Sequence, residues 1–181
     1  GEGGEKCFVG EYRNDVASGF CREGKGCVLE GGVVARVNVY ANGEEVRRWK
    51  VLVDEVMTEM DEKGVVVYVG EYAENPELFC PRNGRGTVFE NGVLKCVGVF
   101  EGDVLKRKER EFEKELMMEY DDEGKMLYWG GYVKNEKGVF LRDGQGTVYE
   151  KGVIVYCGCF EKGELKRKAK EFKDGVMIEY D

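Results

Sequence analysis

The chain has 181 residues, a formal net charge of -8, no histidine, 42% hydrophobic residues and 35% charged ones. The acidic balance argues against nucleic acid as a partner, because phosphates call for a basic footprint, and no apolar run approaches the roughly 18 residues that span a bilayer. With no histidine and a single serine, Ser18, the Ser/His and Cys/His nucleophile pairs and the commonest zinc ligand are missing, so no catalytic residue, metal or cofactor is expected.

The opening residues, GEGGEK, lack the apolar core of a secretory signal, and residues 1–4 are expected to lie outside the fold, disordered or carried over from cloning. Beyond them the chain is three copies of one unit, 5–64, 65–124 and 125–181, of which the first is the most divergent. Gly10, Gly70 and Gly130 lie 60 residues apart, as do Arg22, Arg82 and Arg142, and the pairs Gly24/Gly26, Gly84/Gly86 and Gly144/Gly146. A fixed period of this kind signals one continuous array of stacked repeats rather than a domain with a closed core.

Each unit opens on an aromatic, a glycine and a second aromatic at alternate positions: Phe8, Gly10 and Tyr12; Tyr68, Gly70 and Tyr72; Tyr128, Gly130 and Tyr132. The pattern returns halfway through, complete at Tyr156, Gly158 and Phe160, without its first ring at Cys96 to Phe100, and decayed at Arg36 to Tyr40. Alternate residues of a strand share a face, so two rings flank a stretch of bare backbone across which a ring can lie. The rings of Tyr68, Tyr72, Tyr128, Tyr132, Tyr156 and Phe160 are expected to pack along one face.

The segments between are β-formers punctuated by turns. Thr87 to Glu90 and Thr147 to Glu150 run into Asn91-Gly92 and Lys151-Gly152, two-residue hairpin signals. Residues 104–120 carry good helix formers, but the matching stretch of the third unit holds Asp174-Gly175 at its centre, so two strands are expected there. An antiparallel meander whose unit repeats in one orientation needs an even number of strands, and six per unit are expected. The seven cysteines occupy different phases of the repeat without a C-x-x-C pair, and read as small buried hydrophobes in a reducing, cytoplasmic compartment.

The Tyr-x-Gly-Glu-Tyr strand, the Gly-x-Gly that follows it and the closing Glu-Asn-Gly turn together resemble the MORN (membrane occupation and recognition nexus) repeat. The likeness is strongest over 68–92 and 128–152, and the motif is spaced here by 28 and then 32 residues. The resemblance implies an all-β, single-layer array of antiparallel hairpins that serves as a non-catalytic scaffold for a protein partner. Family members are associated with cytoskeletal scaffolds, membrane contact sites and enzymes that carry the repeats as an appendage. A peripheral module for anionic lipid and an appendage of an enzyme whose catalytic domain lies outside this chain are therefore the alternatives.

Other patterns have plainer readings. The Gly-x-Gly pairs lack the Lys-Ser/Thr and helix of a phosphate loop, the Asp61/Glu62 and Asp121/Asp122 pairs fall in turns, and Arg22, Arg82 and Arg142 are placed to stack on an aromatic ring. Arg47, Arg48, Lys106, Arg107, Lys108, Lys166, Arg167 and Lys168 recur with the period as a basic stripe. Such a stripe keeps exposed strands soluble by pairing with neighbouring glutamates, or else docks an acidic partner or weakly binds anionic headgroups. The last strand, around Val176 to Tyr180, is expected to be an unpaired apolar edge, which predicts either that the chain is a fragment of a longer repeat-containing protein or that copies associate edge to edge.

Overall fold

A computed structural model describes residues 6–15 and 19–181; residues 1–4 and Ser18, discussed above, lie outside these. The described residues form fifteen strands that follow one another through the sheet in chain order, every assigned pairing antiparallel, with one 3-10 turn and no α-helix. The first repeat supplies β1 (Lys6–Asp15), β2 (Gly19–Glu30), β3 (Val33–Ala41), β4 (Glu44–Val53) and β5 (Val56–Met60). The second supplies β6 (Val66–Tyr72), β7 (Arg82–Glu90), β8 (Val93–Glu101), β9 (Val104–Glu113) and β10 (Leu116–Tyr120). The third supplies β11 (Met126–Lys134), β12 (Phe140–Glu150), β13 (Val153–Glu161), β14 (Glu164–Lys173) and β15 (Val176–Glu179).

The chemistry of the turns explains the hairpins. Asn91 and Gly92 both hold positive φ, 51° and 77°, as the tight turn between β7 and β8 demands. Asp61 Oδ1 accepts from the amides of Lys63 and Val65, and Asp121 Oδ1 repeats this with Glu123 and Lys125, so both acidic pairs sit in turns held by their own backbone. Residues 104–120 form β9 and β10 with a turn at Lys114, as the third repeat's Asp174-Gly175 foretells.

Each repeat has five strands, not the six expected. The Gly-x-Gly segment ends no strand: β2, β7 and β12 run straight through it. There the register slips, Gly70 facing Gly86 while Tyr72 faces Arg82, so four steps on β7 oppose two on β6. An odd count has a consequence for direction and for side. Within the first compact unit (Gly1–Leu94 with Val99–Lys106), β6 runs opposite to its repeat-equivalent β1.

Facing residues share a face, and the register carries Val9, Cys27, Val37, Lys50, Glu59 and Tyr68 on one side and Phe8, Val28, Arg36 and Val51 on the other. Tyr68 and its equivalent Phe8 therefore point to opposite faces. The same register logic in the second unit (Lys95–Gly98 with Arg107–Asp181) sets Arg110, Glu119, Tyr128 and Tyr156 on one face and Lys170 and Glu179 on the other. Tyr68 and Tyr72 share a face within the first unit, where Phe8 lies on the other one, and Tyr128, Tyr132, Tyr156 and Phe160 share a face within the second.

In the first unit the core is Cys27, Val34, Val37, Leu52, Met57, Tyr68 and Phe100, roofed by the loop from Ala73 to Pro81 that carries Cys80. That loop folds because Asn75 Oδ1 accepts from the amides of Glu77 and Leu78, capping the 3-10 turn Pro76–Leu78, and Phe79 then turns left-handed at φ 55°. In the second unit Phe112, Met117, Tyr128 and Phe160 are buried. Burying a methionine side chain of this kind contributes about 1.5–3 kcal/mol.

Candidate functional site

The glycine motif works by close approach. A β-carbon at Gly130 would lie 2.5 Å from both Gln145 O and Gly146 Cα, so β11 and β12 touch there backbone to backbone. The ring lying across this contact is that of Tyr128 on the same strand, whose hydroxyl donates to Gly131 O at 2.9 Å; Tyr68 donates likewise to Glu71 O at 2.8 Å. Each opening ring also meets the closing ring of its half-repeat edge to face: Phe8 with Tyr40, Tyr68 with Phe100 and Tyr128 with Phe160, at 5.2, 5.2 and 5.4 Å.

Arginines lie on these rings as the sequence suggests. Arg22 sits over Phe8, Arg82 over Tyr68 and Arg142 over Tyr128, at 4.3, 4.7 and 4.6 Å. What the sequence reading missed is the acid beneath them. Glu59 accepts from Arg82 at 3.0 Å, and Glu119 accepts from Arg142 at 2.6 Å and from Arg110 at 3.2 Å. Lys50, Arg110 and Lys170 face Glu59, Glu119 and Glu179 across their hairpins. Burial pushes Tyr68 and Tyr128 up to about 12.

The nearest thing to a reactive cluster lies under the loop. Cys27, Cys80 and Lys50 are all essentially inaccessible; Lys50 Nζ donates to Phe79 O and Cys80 O at 3.1 and 3.0 Å, and the Cys27 thiol donates to Pro76 O. The neighbouring Cys27 thiol draws Cys80 down to about 7 and is itself pushed up by this neighbour and by burial, with the Lys50 ammonium further favouring the Cys80 thiolate. Burial in turn lowers Lys50 below the ordinary lysine range. Trp49 and Lys50 stand side by side because β4 bulges there, Val37 facing Lys50 and Asn38 facing Arg48. The cluster ties the loop to the sheet and offers no opening to a substrate. The expectation of uniformly buried cysteines holds only for Cys27, Cys80 and Cys96; Cys7 is exposed, and Cys21, Cys157 and Cys159 are half-buried.

The basic stripe is largely spent on neighbouring acids. Lys106 pairs with Glu101, Arg107 with Glu109 and Asp122, Lys108 with Glu111, Lys166 with Glu164 and Lys168 with Glu171. Arg47 and Arg167 face Val39 and Cys159, and Arg48 faces Asn38, which instead bonds Glu45.

Two open clefts flank different elements. One, of about 310 Å³, is bordered by Phe8, Arg22, Arg36, Tyr40 and Glu45; the other, of about 560 Å³, is bordered by Ile154, Phe172, Val176 and Met177. β15 is exposed throughout, with Val176, Met177 and Ile178 at 60, 52 and 45%.

No family model, curated protein or solved structure matches the chain. The site is therefore read from its own residues. Glu59, Glu119 and Glu179 share the 60-residue spacing of the glycines, as do Lys50, Arg110 and Lys170. Their phase was the available signal for the buried network, obscured by the many other charges around them. No helix among the described residues is long and apolar enough to cross a membrane.

Proposed function

We propose that this chain is a non-catalytic repeat scaffold, MORN-like in its motif, that holds protein partners along an extended antiparallel sheet. The observation that supports this is how its polar groups are used. The residues best suited to chemistry, Lys50, Glu59, Cys27 and Cys80, are buried, Lys50 and Cys27 bonding to backbone and Glu59 to Arg82, whereas apolar side chains such as Val153 at 69% and Ile154 at 39% face solvent. Exposed apolar patches of this kind mark contact surfaces.

Proximity labelling in cells with the chain as bait tests this reading, comparing it with a Val153→Asp/Ile154→Asp variant. A reproducible set of neighbours that thins in the variant is expected; identical neighbours for both, matching those of an inert control, would end the proposal. A lipid-binding role is disfavoured by the ion pairs of the stripe. Flotation with phosphatidylserine vesicles at about 0.1 M salt, where surface charge is screened beyond roughly 10 Å, is expected to leave the chain unbound.

A further inference from the structure

We propose that Cys27 and Cys80 are an oxidisable pair, and that a disulfide between them fastens the loop from Ala73 to Pro81 to the strand beneath it. This goes beyond the scaffold reading and does not depend on it.

The fold brings the pair together from distant parts of the first unit. Cys27 lies in β2, and the register that sets it against Val37 and then Lys50 puts all three on the face that the loop covers. The loop arrives from the end of β6. Cys80 N donates to Asn75 O at 2.9 Å, Cys27 Sγ donates to Pro76 O at 3.4 Å and Lys50 Nζ donates to Cys80 O at 3.0 Å. One cysteine therefore closes the turn that the other holds from below. Both belong to one packed cluster of buried residues, and each thiol is the largest influence on the other's proton affinity, so the two are neighbours.

Nothing in the repeat itself requires this pair. The other copies hold Thr87 and Thr147 in place of Cys27, and Phe20 and Phe140 in place of Cys80. The connection between β6 and β7 runs from 73 to 81, whereas that between β11 and β12 spans only 135–139. Both departures from the repeat thus fall where a long loop folds back on the sheet.

The surroundings favour a nucleophilic sulfur at Cys80. The Cys27 thiol, the Asn75 backbone and the Lys50 ammonium together hold it at about 7, so much of it is thiolate at neutral pH. With a peroxide as oxidant, the Cys80 thiolate attacks one peroxide oxygen and the O–O bond breaks. The departing hydroxide takes up the proton that Cys80 released, leaving a sulfenic acid and one water. The Cys27 sulfur then attacks the sulfenic sulfur: the S–S bond forms, the S–O bond breaks, and the Cys27 proton leaves with the second hydroxide as water. Two thiols and one peroxide give one disulfide and two waters, the sulfurs losing the two electrons that the peroxide gains. Neither thiol is exposed, so the reaction waits on the loop lifting far enough to admit a water-sized oxidant. Cys27 is then at hand to resolve the sulfenic acid before it oxidises further.

Treating the whole folded chain with hydrogen peroxide, blocking the remaining thiols with a maleimide and mapping the peptides tests this. A Cys27–Cys80 cross-linked peptide, lighter by two hydrogens and released by dithiothreitol, is expected. The thermal midpoint should rise by about 5 °C or more, because the cross-link restricts the unfolded chain, and should return on reduction. Cys27→Thr, which installs the residue of the other two copies, should keep the same circular dichroism, show no rise, and leave Cys80 as a sulfenic acid that dimedone traps. Cys80→Ser should show neither the rise nor the trapped adduct at that position. No cross-link in the folded chain once exposed Cys7 has been oxidised, a cross-link that forms only in urea, or an equal rise in Cys27→Thr would overturn the proposal.

Discussion

Arg142 holds Glu119 by two nitrogens, Nε at 2.8 Å and Nη2 at 2.6 Å, while its guanidinium lies over Tyr128. The acid's other oxygen is taken by Arg110, so removing Arg142 leaves a half-buried carboxylate short of partners. Arg142→Gln is expected to cost about 1.5–3 kcal/mol, the range for hydrogen bonds to charged groups. Urea unfolding would show it, and Lys166→Gln, on an exposed strand, should shift the midpoint far less.

Gly130→Val should destabilise by roughly 1–3 kcal/mol through overpacking. The β-carbon would meet backbone atoms of β12, which cannot swing aside as a side-chain tip could. A thermal midpoint equal to the parent's would mean that the strands are not in contact there.

Alkaline titration separates two sets of buried groups. Tyr68 and Tyr128 have folded values near 12 against an ordinary 10, so the folded state binds more protons between these values. Their stabilisation is complete below pH 10 and lost as pH rises toward 12, on the order of 2 kcal/mol for each. Lys50 is shifted the other way, its folded value lowered by burial, so it makes stability rise with pH up to its ordinary 10.5. Stability measured against pH should climb and then fall, and Tyr68→Phe with Tyr128→Phe should flatten the fall.

Lys50→Ala removes the ammonium that donates to Phe79 O and Cys80 O, two of the bonds that tie the loop to the sheet. A loss of about 2–3 kcal/mol is expected, together with faster chymotrypsin cleavage after Phe79. Unchanged cleavage would show that the other bonds of the loop, from Cys27 to Pro76 O and from Val34 N to Glu74 among them, hold it without Lys50.

Much of this architecture is legible in the residues. Asn91-Gly92 and Asp174-Gly175 announce their hairpins, and the aromatic-glycine spacing announces the close approach of Gly130 to Gly146. The strand count was not legible, because Gly24, Gly84 and Gly144 carry the positive φ of a turn while remaining inside β2, β7 and β12. Position along a strand is local information, but the face a strand presents depends on every register slip before it. The loop over Cys27 was hidden for a related reason: Asn75 and Pro76 encode the turn, and nothing nearby encodes where it lands.

Because Phe8 and Tyr68 point to opposite faces, the two motif copies of the first unit are set back to back. On the scaffold role proposed above, two identical globular partners docking beside these two copies would approach from opposite sides of the sheet. A bivalent partner on a short tether meets the reverse situation: it must skip a copy or reach around an edge, and its second binding event gains little from the first. Under that role, occupancy at the two copies of the first unit is expected to be independent for monovalent partners and poorly reinforced for paired ones.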